Sequence, residues 1–116
     1  MKKCTLSGLF LPVILSACFS LPAKAVNLEE MAQQGDTDAM IVLSYQYLSE
    51  ETSTGVEKAK YWLEKAAKQG DTDAPGVLGT LYYTEKNYEA AGLYLTQACN
   101  QNNQPACKLL NKLKTQ

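Results

Sequence analysis

The 116-residue sequence contains no arginine and no histidine. Without histidine, the side chain most often used for acid–base catalysis near neutral pH is missing, and most histidine-based acid–base, triad and zinc chemistry is excluded. The 11 lysines nearly balance 12 acids, for a net charge of −1. A mildly acidic chain without arginine argues against nucleic acid as a partner.

Long apolar runs are also scarce, and the most extended one lies at the N-terminus. Two lysines precede a mostly apolar stretch over residues 6–21, and Pro-Ala-Lys-Ala follows at 22–25. Ala25 and Ala23, at the first and third positions before a cut after Ala25, suit a signal-peptidase site, so residues 1–25 are predicted to be an export signal. The apolar stretch is interrupted by Pro12 and is shorter than the roughly 20 residues of a transmembrane helix.

A second processing site lies within the same segment. Residues 15–18 read Leu-Ser-Ala-Cys, similar to the lipobox of bacterial lipoproteins, in which the cysteine is lipidated and becomes the new N-terminus. Two products are therefore predicted: a soluble periplasmic protein, or a lipid-anchored one attached to the membrane through Cys18. Cleavage after Ala25 would leave eight lysines and 12 acids, a net charge of −4.

The hexapeptide Gln-Gly-Asp-Thr-Asp-Ala occurs at residues 34–39 and returns at residues 69–74, 35 positions later. A period of this size is typical of chains built from stacked helix pairs. From Tyr88 onward the offset becomes 32, because the preceding loop is three residues shorter. The repeat divides a domain over residues 27–114 into a half repeat over 27–35, full repeats over 36–70 and 71–102, and a closing helix over 104–114.

Apolar spacing predicts where the helices lie. They are expected over residues 27–34, 38–49, 56–69 and 74–84, then from 88 to about 98, with a last helix that ends near 114. Asn27 is predicted as the first N-cap, Gly70 as a left-handed C-terminal residue, and Asp71, Thr72 or Asp73 as a cap for the next helix. The predicted core includes Leu43, Tyr47, Leu78 and Tyr82.

The pattern resembles the Sel1-like repeat family, which is related to the tetratricopeptide repeat. The resemblance is carried by Leu43, Ser44, Tyr47, Lys58, Ala59, Trp62, Leu63, Lys65, Ala66, Ala67, Gly70, Ala74, Leu78, Gly79 and Tyr82. It implies an all-α fold, a right-handed α/α superhelix, and a role in protein–protein interaction. Ser44 replaces the usual glycine, and Tyr94 and Asn102 stand where Trp62 and Gly70 stood in the preceding repeat.

Cys99 and Cys107 extend the resemblance to the secreted, cysteine-rich branch of the family. In that branch such a pair links the second helix of a repeat to the next helix, which implies a disulfide here. Positions on either side of a short helix connection can reach disulfide distance, and export supplies an oxidising compartment. The alternative is two buried free thiols. A metal or redox site is not expected, because neither a CxxC motif nor a histidine accompanies the pair.

The resemblance also implies where a partner binds. In tetratricopeptide proteins the inner face comes mainly from the first helix of each repeat. The corresponding partner-binding residues are Ile41, Tyr45, Leu48, Thr80, Tyr83, Lys108 and Lys112. An alternative is that Tyr45 and Tyr83 only pack the helix ends. Lys58, Lys60, Lys65 and Lys68 are expected to form a solvated face with Glu57 and Glu64.

These observations favour an exported bacterial module that binds one protein partner, acts as a monomer and needs no cofactor or metal. A narrower hypothesis is a periplasmic inhibitor, such as an immunity protein that neutralises a toxin, because two repeats suit a dedicated binder. One alternative is a secreted or surface factor that contacts a host. Another is a β-lactam-binding or β-lactam-hydrolysing enzyme, to which some cysteine-rich relatives have been linked. Catalysis is not expected, because neither a Ser-x-x-Lys motif nor a cluster of paired carboxylates is present.

Overall fold

The computed structural model describes residues 27–116 as a succession of α-helices. They are α1 (Leu28–Gln33), α2 (Thr37–Leu48), α3 (Ser53–Lys68), α4 (Ala74–Thr84), α5 (Tyr88–Asn100) and α6 (Gln104–Lys114). The part of the chain so described contains no strand, and none of its helices is both long and apolar enough to cross a membrane. The predicted export signal at 1–25 and lipidation site at Cys18 lie outside the described residues.

Each helix packs against the next helix in the chain, and α4 also contacts α6. The predicted all-α class is thus confirmed, and the arrangement is repeat-like. The predicted and observed helix starts differ by no more than three residues, the largest difference being at α3. This agreement follows from the apolar spacing, because one face of each helix must be buried against its neighbours.

Two apolar clusters form the core. The first cluster is formed by residues of helices α1, α2, α3 and α4 and includes the fully buried Leu63 and Leu78. The second is formed by residues of α5 and α6 around Leu95 and Leu110. Of the predicted core residues, Leu43 and Leu78 are buried, and Tyr47 and Tyr82 are half-buried against the first cluster. Tyr82 contacts both clusters and therefore links the two halves of the core.

Equivalent turns end α1, α3 and α5. Gly35, Gly70 and Asn102 adopt left-handed backbone conformations with φ of 100°, 96° and 69°. The next residue in each turn caps the following helix: a side-chain oxygen of Asp36, Asp71 and Asn103 accepts from the N–H three residues later, at 3.0, 2.8 and 3.0 Å respectively. The last turn is thus conserved in geometry although its sequence has changed, because asparagine tolerates both the left-handed region and the cap position.

The connection between α5 and α6 carries a covalent link as well. Cys99 in α5 and Cys107 in α6 form a disulfide in the structure, with their Cα atoms 4.7 Å apart. Both residues are half-buried, and Cys99 packs against the second core cluster. The bond therefore fixes the closing helix to the body of the domain at the turn whose sequence has diverged most.

Lys60 corrects one expectation. It is buried, with 8% of its surface exposed, so the prediction that it lies on a solvated face is wrong. Its Nζ lies 2.7 Å from Glu57 Oε1 and 3.0 Å from both carboxylate oxygens of Glu85, and 4.9 Å from the centre of the Tyr82 ring. Glu85 follows α4, 25 residues away in the chain, a distance over which helical spacing predicts no partner.

Lys60 and two half-buried tyrosines, Tyr82 and Tyr94, predict sensitivity of the folded state to alkaline pH. Burial lowers the pKa of Lys60, but hydrogen bonds and attraction from Glu57 and Glu85 together raise it above 10.5. Burial and the hydrogen bond to Glu64 raise the pKa of Tyr82 above 10.0, and burial does the same for Tyr94. Each folded-state pKa lies above its unfolded value, so the folded state holds these protons more tightly.

Their contribution to stability is accordingly complete below about pH 10 and is lost as the pH rises further. We expect the urea midpoint to stay nearly constant between about pH 7 and 9 and to fall above about pH 10. Tyr82→Phe should make that fall shallower, because it removes one of the phenols that resists ionisation. A wild-type midpoint that does not change up to about pH 11 would contradict the assignment.

Candidate protein-binding groove

A groove of about 450 Å³ runs between α2, α4 and α6. It is lined by one residue of α2 (Tyr45), by Asp73, Gly76, Val77 and Thr80 at and within α4, and by Asn103, Pro105, Ala106 and Leu109 at and within α6. These three helices are the first helix of each predicted repeat and the closing helix. The groove therefore lies between helices that occupy equivalent positions in the predicted repeat.

Within the groove lining, α4 approaches the start of α6 closely. Gly76 has no side chain there, and a Cβ at this position would lie 2.7 Å from Asn103 Nδ2. Asn103 is held in place because its Oδ1 accepts from the Ala106 N–H. Because residue 76 is a glycine, α4 can approach the capping residue of α6 this closely.

The chemistry of the lining is mostly apolar with a few polar groups. Val77, Pro105 and Leu109 supply apolar walls, and Tyr45 supplies an aromatic ring that is 52% exposed. The Thr80 hydroxyl donates to the Gly76 carbonyl at 2.9 Å. Size and composition fall in the range of ligand-binding clefts, where apolar walls give affinity and a few polar groups give orientation.

The predicted partner-binding residues do not all meet in this groove. The structure brings Tyr45 and Thr80 together there. Ile41 is half-buried against the first core cluster, and Leu48 is half-buried at the end of α2. Tyr83 packs against Tyr88, with ring centres 5.7 Å apart, and its hydroxyl accepts from Gln116 Nε2 at 2.9 Å. For Tyr83 the geometry agrees with the alternative reading, a tyrosine that packs helix ends.

The two lysines predicted for the same face, Lys108 and Lys112, are exposed on α6 but do not line the groove. The side of α6 that does so carries Pro105 and Leu109, which are four residues apart and so share one face. Four lining residues, Asp73, Val77, Pro105 and Leu109, are not among the partner-binding residues predicted from the sequence. The available signal was the i, i+4 spacing of Pro105 and Leu109 on the closing helix.

A smaller depression of about 240 Å³ lies between α3 and α5 and is lined by Glu64, Ala67, Lys68, Tyr94 and Gln97. The Tyr94 ring stacks on Tyr82 with centres 5.6 Å apart, so one wall is part of the packed interior. Within residues 27–116, no group of three or more metal-binding side chains is clustered. The groove between α2, α4 and α6 is larger than this depression and is the better candidate for recognition.

Comparison with protein-family models, curated proteins and solved structures finds no match to this chain. The Sel1-like resemblance accordingly depends on the residues that carry it.

Proposed function

We propose that this chain is a protein-binding module that holds a segment of one partner protein in the groove between α2, α4 and α6. The observation that carries the proposal is the groove itself, an open cleft of about 450 Å³ with apolar walls and an exposed tyrosine. Exposed tyrosine is a common anchor in protein interfaces, since it contributes a large contact area at low entropic cost. Packed helices provide the rigid frame that such a site needs.

In this proposal the helices form a short right-handed superhelix of the Sel1-like kind, with α2, α4 and α6 along one face. Three features support it: the helix-by-helix packing, the equivalent caps before α2, α4 and α6, and the shared groove of these helices. In repeat proteins each unit contacts mainly its neighbours, which leaves a surface along the stack for binding.

The proposed site of action is the periplasm, where the chain would inhibit its partner, for example as an immunity protein. The export signal read from residues 1–25 supports this address, and the Cys99–Cys107 disulfide suits an oxidising compartment. Fractionation of producing cells tests the address. For the immunity version, a deletion strain should become sensitive to its sister cells, and resistance would refute that version.

Photocrosslinking tests the binding proposal directly. A benzoylphenylalanine placed at Thr80, an exposed residue in the groove, should give a discrete crosslinked species in producing cells. The matched control is the same group at Leu93 on α5, which is 71% exposed and outside the groove. Crosslinks from Leu93 and none from Thr80 would place the interface elsewhere and contradict the proposal.

A further inference from the structure

Asp73 stands at the start of α4, but its side chain does not cap that helix. The capping role belongs to Asp71, whose Oδ1 accepts from the N–H groups of Asp73 and Ala74 at 2.9 and 2.8 Å. In the first repeat, by comparison, Asp36 is the cap of α2 and makes the equivalent bond to Ala39. The Asp73 carboxylate is exposed, lines the groove, and belongs to neither ion pair of the described residues.

The rest of the lining offers this carboxylate no positive charge. None of the nine lining residues is a lysine, and Asp73 is the one charged residue among them. The described chain as a whole, with eight lysines and 12 acids, carries a net charge of −4, which favours approach of a positively charged partner. An anionic partner group would instead meet Asp73 with no lysine in the groove wall to balance it.

The aromatic and apolar walls suit the same kind of side chain. Tyr45 presents an exposed ring in the groove, and a lysine or arginine over a tyrosine ring is attracted by the charge distribution of the ring. The methylene stem of such a side chain can lie along apolar surface while its charged end reaches a polar group. Val77 and Leu109 provide that apolar surface.

From this arrangement we infer that the occupant of the groove is a segment of the partner protein that inserts a lysine or arginine side chain, flanked by apolar residues, towards Asp73 and Tyr45. The inference rests on the proposed function and adds the chemical class of the partner. Binding should therefore depend on the positive charge of that lysine or arginine, on Asp73 and on ionic strength, in addition to any apolar contact.

Two short blocked peptides provide the test: one carries a lysine between two leucines, and the other carries uncharged norleucine in place of the lysine. Binding is followed on the isotope-labelled protein by amide chemical shifts of groove residues, with Leu93 as an outside reference. The lysine peptide should shift the groove amides and bind about tenfold more tightly than the norleucine peptide, as expected for a charge-assisted and cation–π contact. High salt should reduce this difference.

The variant Asp73→Asn should abolish the preference for the lysine peptide. The control Asp38→Asn, which changes an exposed acid in the first turn of α2 outside the groove lining, should retain it. Equal groove binding of the two peptides, or an unchanged preference in Asp73→Asn, would overturn the inference and leave the proposed groove intact. Absence of groove shifts with both peptides would count against the proposed function as well. Concentration-dependent groove shifts without peptide would identify a second copy of this chain as the occupant and overturn the inference.

Discussion

Replacing Gly79 with alanine is expected to destabilise the protein by about 1–3 kcal/mol, the usual cost of inserting a methyl group into a packed helix interface. A Cβ at Gly79 would lie 2.7 Å from both Cγ and Cδ2 of Leu95 and 3.1 Å from the Leu95 backbone nitrogen. Leu95 is fully buried and belongs to the second core cluster. The clash therefore cannot be relieved by rotating a side chain into solvent, and α4 and α5 must move apart.

The same substitution at Gly92 provides the matched control, because it also lies inside a helix. A Cβ there would lie 3.7 Å from Leu113 Cδ2, an ordinary van der Waals distance. Gly92→Ala should therefore stabilise the protein by about 0.5–1 kcal/mol, through the higher helix propensity of alanine. Urea unfolding followed by circular dichroism measures both variants. Stabilisation by Gly79→Ala would contradict the described packing of α4 on α5.

Loss of the disulfide is expected to cost about 2–3 kcal/mol, the loop-closure entropy of a short ring released in the unfolded chain. The variant Cys99→Ala/Cys107→Ala should therefore unfold at a lower urea concentration than the wild type. The bond holds α6 to α5 across a three-residue turn. Four of the groove-lining residues belong to α6 or to its N-cap. Loosening α6 should weaken partner binding too.

Reducing agent separates the effect of the bond from that of the substitutions. It should lower the wild-type midpoint towards that of the double variant and leave the midpoint of the double variant unchanged. Thiol titration of the purified, unreduced protein should find no free sulfhydryl in residues 27–116. Two free sulfhydryls in that range would show that the cysteines are separate thiols.

The helices could be predicted from the sequence because their signals are local. The repeated hexapeptide indicated the turns before α2 and α4, and apolar spacing indicated the buried faces, such as that of Leu43 and Tyr47. The last turn shows how far such reasoning extends. Asn102 and Asn103 reproduce the backbone geometry and the cap of the earlier copies, although neither residue matches the motif.

What could not be predicted depends on contacts between distant residues. Lys60 looks like one of several solvated lysines until packing brings Glu85 and Tyr82 to it. The role of Asp73 is hidden for a related reason. Asp73 belongs to the repeated hexapeptide, which suggests a turn residue. In the structure Asp71 accepts the capping hydrogen bonds instead, so the Asp73 carboxylate remains free in the groove. Tyr83 is predicted for the same face as Tyr45, and helical spacing gives no indication that its ring packs against Tyr88.

The groove between α2, α4 and α6 is the proposed binding site of the partner. The most direct test is calorimetric titration of the purified partner into the wild type, Tyr45→Ala and Leu93→Ala. Both tyrosine and leucine are exposed, 52% and 71% respectively, so neither variant should unfold the protein. Tyr45→Ala is predicted to weaken binding about tenfold or more, as loss of an interface anchor does, and Leu93→Ala should stay within about twofold. The reverse result, with Leu93→Ala weakening binding and Tyr45→Ala leaving it unchanged, would contradict the claim.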